Sequence, residues 1–333
     1  MRIAINGFGR IGRNFLRTIM SDREAQKSLN VVLINVGPAD LAKVAHMFKY
    51  DTIMGTFEGA VSCSNNRLTI NGHAIELVAI ADPKKLNWKA YNIDWVVDAS
   101  GSYATQELSK LHIDAGAEHV LITAPCKGVV TTIVPGVNDD QYNPDRDRVV
   151  SLASCTTNAM MPTLKVLHDA FTIKQGFMTT VHAYTNSQVL IDVESDDLRR
   201  SRAAALNIIP TSTGASRMIA QVIPALKGLI QSTAIRVPVA TVSLIDLVVH
   251  AQKELSVDVV NHAFQLAAQK GLKGILAISN EPLVSSDYIG SNYSVTLDAA
   301  LTQASGNMAK VFGWYDNEWG YSMRLKDFLL SLS

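Results

Sequence analysis

The chain has 333 residues, 47% of them hydrophobic and 18% charged, and its 30 Lys and Arg balance 30 Asp and Glu. This is a globular composition with room for two domains of about 150 residues each. Zero net charge argues against nucleic-acid binding as the main role, and no apolar run approaches the roughly 18 residues that span a bilayer. Three cysteines (Cys63, Cys126 and Cys155) are an odd count at irregular spacing, with neither a disulfide framework nor a paired-cysteine zinc pattern. That usage suits a reducing compartment, so a soluble cytoplasmic protein without a bound metal is expected. Asn6, Arg10 and Arg13 interrupt the N-terminal apolar run, which therefore reads as neither a signal peptide nor an anchor.

Over the first 150 residues, short Val- and Ile-rich runs alternate with helical patterns. Residues 2–5, 31–35, 95–99, 119–123 and 149–153 predict buried strands. Between the first two, Ile11, Phe15, Leu16 and Ile19 recur at helical spacing, and strand–helix–strand is the unit of a parallel sheet. Residues 68–77 break the alternation as a hairpin, because Asn71-Gly72 accepts the positive φ angles of a type I′ turn. Beyond residue 155 the order is mixed. Helices are predicted at 156–170 (carrying Pro162), 213–223, 257–270 and 323–332, and strands at 176–183, 232–237 and 241–250. The expected fold class is α/β: a doubly wound parallel-sheet domain followed by an α+β domain with a mostly antiparallel sheet. No linker or repeat separates the two.

Gly7-Phe8-Gly9-Arg10-Ile11-Gly12 matches G-x-G-x-x-G between a predicted strand and a predicted helix. The first glycine permits a tight turn, the second lets backbone approach a pyrophosphate, and the third allows close helix packing. In that setting the motif predicts a Rossmann-type dinucleotide site. The carboxylate expected at the end of the second strand is absent: that strand ends Asn35-Val36-Gly37-Pro38, and Asp40 is the nearest acid. Three explanations stay open: a 2′-phosphorylated cofactor, a ribose held in some other way, or a site that tolerates both cofactors.

Ser154-Cys155-Thr156-Thr157-Asn158 lies where a strand gives way to a helix. A helix N-terminus stabilises a thiolate and lowers its pKa, and hydroxyl neighbours do not suit a dry core, so Cys155 is the candidate nucleophile. His182, at the end of an apolar strand, is the candidate acid–base partner by elimination among eight histidines. Arg199, Arg200 and Arg202 form a cluster, whereas Arg236 stands inside an apolar run, where an arginine must pair or face a site. Thr211-Ser212-Thr213-Gly214 opens a helix and offers hydroxyl and N–H groups to an anion. Together these predict phosphate recognition.

Ile5-Asn6-Gly7-Phe8-Gly9-Arg10-Ile11-Gly12-Arg13, Ala153-Ser154-Cys155-Thr156-Thr157-Asn158, Thr180-Val181-His182-Ala183, Ser212-Thr213-Gly214-Ala215 and Trp314-Tyr315-Asp316-Asn317-Glu318 occur here in that order. In these five motifs the chain resembles the phosphorylating glyceraldehyde-3-phosphate dehydrogenases, from residue 1 to about 330. The resemblance implies a dinucleotide-binding domain over 1–154, to which a C-terminal helix at about 315–333 returns, and a catalytic domain over 155–314. It implies that Cys155 attacks the aldehyde, that His182 takes the proton, and that inorganic phosphate cleaves the resulting thioester. Substrate phosphate is expected near Thr185 and Arg236, and inorganic phosphate near Ser154, Thr213, Gly214 and Arg202, with Thr156 beside them. The expected cofactor-binding set is Gly7, Gly9, Arg10, Ile11, Gly12, Asn35, Val36, Ser100, Gly101 and Thr123, together with Asn317 at the carboxamide and Tyr321 beside the nicotinamide ring. A homotetramer is implied as well, with residues 188–207 reaching a neighbouring subunit's cofactor site.

Val36 stands where the family has a ribose-binding aspartate, and Val193-Glu194 where its NAD-specific members carry Leu-Pro. Glu194 would repel a 2′-phosphate or supply the missing carboxylate, so NAD and NADP both remain candidates. Ser187 replaces an aspartate near the substrate phosphate, and Ala159 replaces a second cysteine. Competing hypotheses are an erythrose-4-phosphate dehydrogenase, from which Thr185 and the run Ser212 to Ala215 differ, and a dinucleotide-binding sensor without catalysis.

Overall fold

The computed structural model describes residues 1–128 and 130–333, with the backbone alone of Pro83. The chain divides into two compact units. One comprises Met1–Pro135, Asp139–Ala153 and Ser322–Ser333, and the other Gly136–Asn138 and Ser154–Tyr321. Among the described residues no helix is long and apolar enough to cross a membrane.

The first unit begins β1 (Arg2–Asn6), α1 (Arg10–Met20), α2 (Arg23–Ser28), β2 (Asn30–Asn35) and α3 (Val44–Lys49). It continues through β3 (Val61–Ser64), β4 (Arg67–Ile70), β5 (His73–Val78), β6 (Trp95–Asp98), α4 (Gln106–Asp114), β7 (His119–Ile122), β8 (Thr131–Thr132) and β9 (Val149–Ser151). The sheet runs β3-β4-β5-β2-β1-β6-β7-β9-β8, parallel throughout except at the β3–β4 and β4–β5 pairs. Ile3, Ala4 and Ile5 have no exposed surface, as an unbroken apolar strand covered on both faces requires. At the β4–β5 turn Asn71 and Gly72 have φ of 50° and 87°, the two positive angles that the Asn-Gly pair predicts. Chain order reverses between β1 and β6. Their carboxyl ends therefore diverge into a crevice, the place where open α/β sheets bind ligands.

The second unit starts with α5 (Cys155–Phe171), β10 (Ile173–Ala183), β11 (Ile209–Ser212), α6 (Ala215–Val222), β12 (Ile230–Val237) and β13 (Ser243–Ala251). It ends with α7 (Val257–Gln269), β14 (Leu276–Ser279), β15 (Val295–Asp298), β16 (Gln303–Ser305), β17 (Met308–Tyr315) and the opening of α8 (Trp319–Leu330). The sheet order is β11-β12-β10-β13-β17-β15-β14, with β16 on β17. Only β10–β12 and β14–β15 are parallel, so the sheet is mostly antiparallel. α5 lies against β10, β13, β15 and β17 and buries Ala159, Met160, Met161 and Leu164 completely. Towards the opposite face the strands alternate with half-buried or exposed residues, among them Phe177 (68% exposed). Strands β11 and β14 to β17 carry weak local signals and were not expected from the sequence. From Ser322 onward α8 belongs to the first unit, where Phe328 meets the Trp95 ring edge-on at 5.9 Å and Lys326 donates to Asp22 at 2.7 Å.

Candidate active site

The crevice of the first unit is built by the glycine turn. Gly7 (φ 91°) donates its N–H to Asn35 O, and a Cβ here would stand 2.5 Å from Ser100 N. A Cβ at Gly12 would fall 2.3 Å from Gly7 O, so only glycine lets α1 pack on the turn. Gly9 has open space where its Cβ would be, which leaves backbone accessible to a ligand. The resulting cavity of about 470 Å³ is of the size that small ligands occupy, and Gly7, Gly9, Asn35, Val36 and Ser100 line it. Arg10 turns instead to an ion pair with Asp51, and Ile11, Gly12, Gly101 and Thr123 are not among the residues that line the cavity. Among the described residues no side chain lining the cavity is charged, and Asp40 is engaged elsewhere, capping the turn at Ala42. This lining fits a dinucleotide and presents neither a carboxylate nor a cation to a ribose.

In the second unit, Ser154 caps α5 by accepting the Thr157 N–H at 3.1 Å, which places Cys155 at the first helical position. Cys155 Sγ lies 3.6 Å from His182 Nε2, the sulfur and imidazole coming from α5 and the end of β10. His182 Nδ1 donates to Ala183 O at 2.7 Å, which leaves Nε2 as the acceptor facing the thiol. Residues 182 and 236 are paired neighbours on β10 and β12, so strand register brings Arg236 alongside. Its Nη1 donates to the same Ala183 carbonyl at 2.9 Å and stands 2.5 Å from Nδ1. With the ring proton on Nδ1, the carbonyl accepts from both groups and the Arg236 contact is a close approach of two donors. With the proton on Nε2, Nδ1 would instead accept from Nη1, and only the first tautomer leaves Nε2 free to take the thiol proton.

Burial, reinforced by the Arg236 charge, pushes the His182 pKa down to about 3. Burial raises the Cys155 thiol, against the pull of Arg236 and of hydrogen bonds from Thr156. The sequence expectation of a lowered thiol pKa thus reverses: desolvation in the packed surroundings outweighs the helix terminus. Both shifts disfavour the charged thiolate–imidazolium pair. Cys155 nevertheless keeps part of its surface open to an incoming ligand.

Tyr315 closes this arrangement. Its hydroxyl hydrogen-bonds Thr156 Oγ1 (2.9 Å) and Thr180 Oγ1 (2.8 Å), and its ring meets His182 edge-on. Thr156, expected at the substrate, is committed to this tie. Ser243 Oγ accepts from Ala183 N and donates to Asn317 Oδ1 at 3.0 Å, linking Asn317 to the strand that bears His182. Tyr321 is buried, and that burial holds its hydroxyl well above its ordinary pKa. Sequence reasoning passed over Tyr315 and Ser243; the run from Trp314 to Glu318 was the available signal for the first, while nothing local marks the second.

Around the anion-binding groups, Thr185 Oγ1 is 2.9 Å from Ser187 Oγ, and Thr185 N donates to Gln188 Oε1. Arg236 Nε and Gln188 Nε2 are buried donors without a protein partner, as a site awaiting an anion would leave them. Arg202 does not join this group. It is exposed and donates to Asp192 Oδ2 at 2.6 Å. Arg200 turns towards β11, with its Nε on Thr211 Oγ1 and its charge felt at Arg236. Thr213 Oγ1 accepts from Ala215 N where Gly214 leads into α6.

Residues 1–106 match the NAD binding domain of glyceraldehyde 3-phosphate dehydrogenase and residues 154–317 its C-terminal domain. The chain belongs to the glyceraldehyde-3-phosphate dehydrogenase family. It is 47% identical over 327 residues to glyceraldehyde-3-phosphate dehydrogenase 1 of Bacillus cereus, covering 98% of this chain and 96% of that protein. Identity to the Geobacillus stearothermophilus enzyme is also 47%, over 328 residues with the same coverage. The chloroplastic glyceraldehyde-3-phosphate dehydrogenase A of Zea mays is 47% identical over 329 residues, 98% of this chain and 81% of its own. Family membership extends through both units, so the crevice and the Cys155–His182 pair belong to a dehydrogenase.

Proposed function

We propose that this chain catalyses the phosphorylating oxidation of D-glyceraldehyde 3-phosphate to 1,3-bisphosphoglycerate. The contact between Cys155 Sγ and the acceptor face of His182 carries this reading. His182 Nε2 takes the thiol proton as sulfur bonds to the aldehyde carbon, and its new N–H then donates to the oxygen of the tetrahedral adduct. NAD or NADP, bound in the first unit, supplies the hydride acceptor, with Gly7, Gly9, Asn35, Val36 and Ser100 holding it. Cys155 is left as a thioester, and the proton on His182 passes to solvent. Inorganic phosphate attacks the thioester carbon, the C–S bond breaks, and the Cys155 thiolate recovers a proton. A thioester intermediate retains the energy of oxidation that direct hydrolysis would dissipate.

Arg236, Thr185 and Gln188 receive the substrate phosphate in this scheme, while Arg200, Thr213, Gly214 and Ser154 receive inorganic phosphate. A homotetramer accounts for the surface of the second unit: Phe177 on the open sheet face is 68% exposed, and Leu190 and Ile191 in the loop before β11 are 85% and 80% exposed. A cytoplasmic location accords with three unpaired cysteines. The test is a steady-state assay of nicotinamide reduction with glyceraldehyde 3-phosphate and phosphate. Cys155→Ser should lower kcat by at least about a thousandfold, because a hydroxyl is a far weaker nucleophile at the same position. Retention of full activity by that variant would refute the covalent route.

A further inference from the structure

Beneath the crevice of the first unit lies a buried polar chain that none of the steps above uses. Asp98, at the end of β6, is 2% exposed, and His112 on α4 is completely buried. Trp88 Nε1 donates to His112 Nδ1 at 3.1 Å. An indole N–H only donates, so Nδ1 accepts and the ring proton sits on Nε2, which donates to Asp98 Oδ2 at 2.9 Å. The same Oδ2 accepts from Asn6 Nδ2 at 2.8 Å, and Oδ1 accepts both the N–H and the hydroxyl of Ser100 at 3.1 and 2.9 Å. Asn6 Oδ1 in turn accepts from Asn35 Nδ2, whose own Oδ1 accepts from Gly37 N and Ile80 N. Tyr103 packs against the His112 ring at 4.4 Å with the two planes tilted by 37°.

Four residues of this network line the cavity wall, Asn6, Asn35, Ser100 and Tyr103, while its other end, Trp88, sits in the hydrophobic core. The link from Asn6 to Asp98 spans the place where strand order reverses, tying the carboxyl ends of β1 and β6. Ser100 N is also the atom that a Gly7 side chain would strike, so moving Ser100 moves the wall against which the glycine turn is packed. Burying a carboxylate with an imidazole is no efficient way to stabilise a core, since apolar residues of similar volume commonly do as well or better. Its location under the ligand-facing loops points to another use.

We propose that the Trp88–His112–Asp98 chain is a positioning device for the dinucleotide crevice, orienting Asn6 and Ser100 and so setting cofactor affinity without touching the reacting atoms. The proposal rests on the dinucleotide reading of that crevice. The experiment is calorimetric titration of the full-length protein with NAD and with NADP, alongside kcat at saturating cofactor and KM for the aldehyde. His112→Leu removes the donor to Asp98; loss of one charge-assisted hydrogen bond should raise Kd on the order of tenfold. His112→Gln, which retains an N–H donor, should bring Kd back to within about threefold of the unmodified protein. Trp88→Phe releases the tautomer and should raise Kd on the order of threefold, providing a milder variant should His112→Leu fail to fold. In all three, kcat at saturation and the aldehyde KM should change less than about twofold, because of the two sites the chain lines only the crevice. Lowered thermal stability with Kd unchanged in the folded variants would reduce the chain to a structural role and overturn the proposal. If the unmodified protein binds neither nucleotide, the dinucleotide reading itself is wrong and the proposal falls with it.

Discussion

Replacing Arg236 by leucine tests whether its charge is what makes the Cys155 thiol reactive. The guanidinium reaches His182 Nδ1 at 2.5 Å, and the far ring nitrogen stands 3.6 Å from Sγ, so the charge acts on sulfur across roughly 8 Å. At an effective dielectric of about 20, that separation is worth about 2 kcal/mol, or roughly 1.5 pH units. A cation favours the thiolate, so its removal raises a thiol pKa that burial already pushes up. Desolvation, the larger cause of the depressed His182 pKa, persists in the variant and keeps the imidazole neutral, so no compensating charge appears. The assay is the pH profile of Cys155 alkylation by iodoacetamide. At neutral pH the thiolate fraction of Arg236→Leu should fall on the order of 30-fold and the profile should move to higher pH, whereas Arg236→Lys should stay near the unmodified protein. Equal alkylation rates for the leucine variant and the unmodified protein, or a profile displaced to lower pH, would refute the electrostatic argument.

The two neighbouring arginines should behave differently towards phosphate. Arg200→Ala is expected to raise the KM for inorganic phosphate about tenfold, while Arg202→Ala, which breaks an exposed pair with Asp192, should leave it within about twofold. A larger effect at Arg202 in the same kinetics would return the site to the residue favoured from sequence. Val36 lines a cavity without charged side chains, so Val36→Asp should shift the ratio of kcat/KM for NAD over NADP upward by about tenfold or more through repulsion of a 2′-phosphate. An unchanged ratio would direct attention to Glu194, whose replacement by alanine would then alter it.

Features requiring only a few neighbouring residues were legible before the fold was known. The glycine turn is one, because the positive φ at Gly7 and the clash of a Gly12 Cβ with Gly7 O both arise within six positions. The Asn71-Gly72 hairpin is another. Cys155 was marked by the hydroxyl residues of its own helix cap, and Arg236 by its presence in an apolar strand. Strands β14 to β17 were obscure because short runs with little alternation have no distinguishing period; they become strands by pairing with partners elsewhere in the chain. That Arg200 turns to Thr211 while Arg202 turns to Asp192 depends on how a loop folds beside β11, and two residues of identical type carry no sign of it.

Sequence by itself determined the fold class, the family, the candidate nucleophile and the crevice-forming glycines, since each follows from local backbone demands or from residue types in a characteristic order. Tertiary structure set the direction of both pKa shifts in the Cys155–His182 pair. It also decided the tie from Thr156 to Tyr315, 159 residues apart, and the His112–Asp98 chain under the crevice. Those outcomes depend on burial and on contacts between distant segments. Desolvation reverses the direction that the helix terminus alone would impose on the thiol, and hydrogen-bond partners separated by many turns of chain meet only when the sheets assemble.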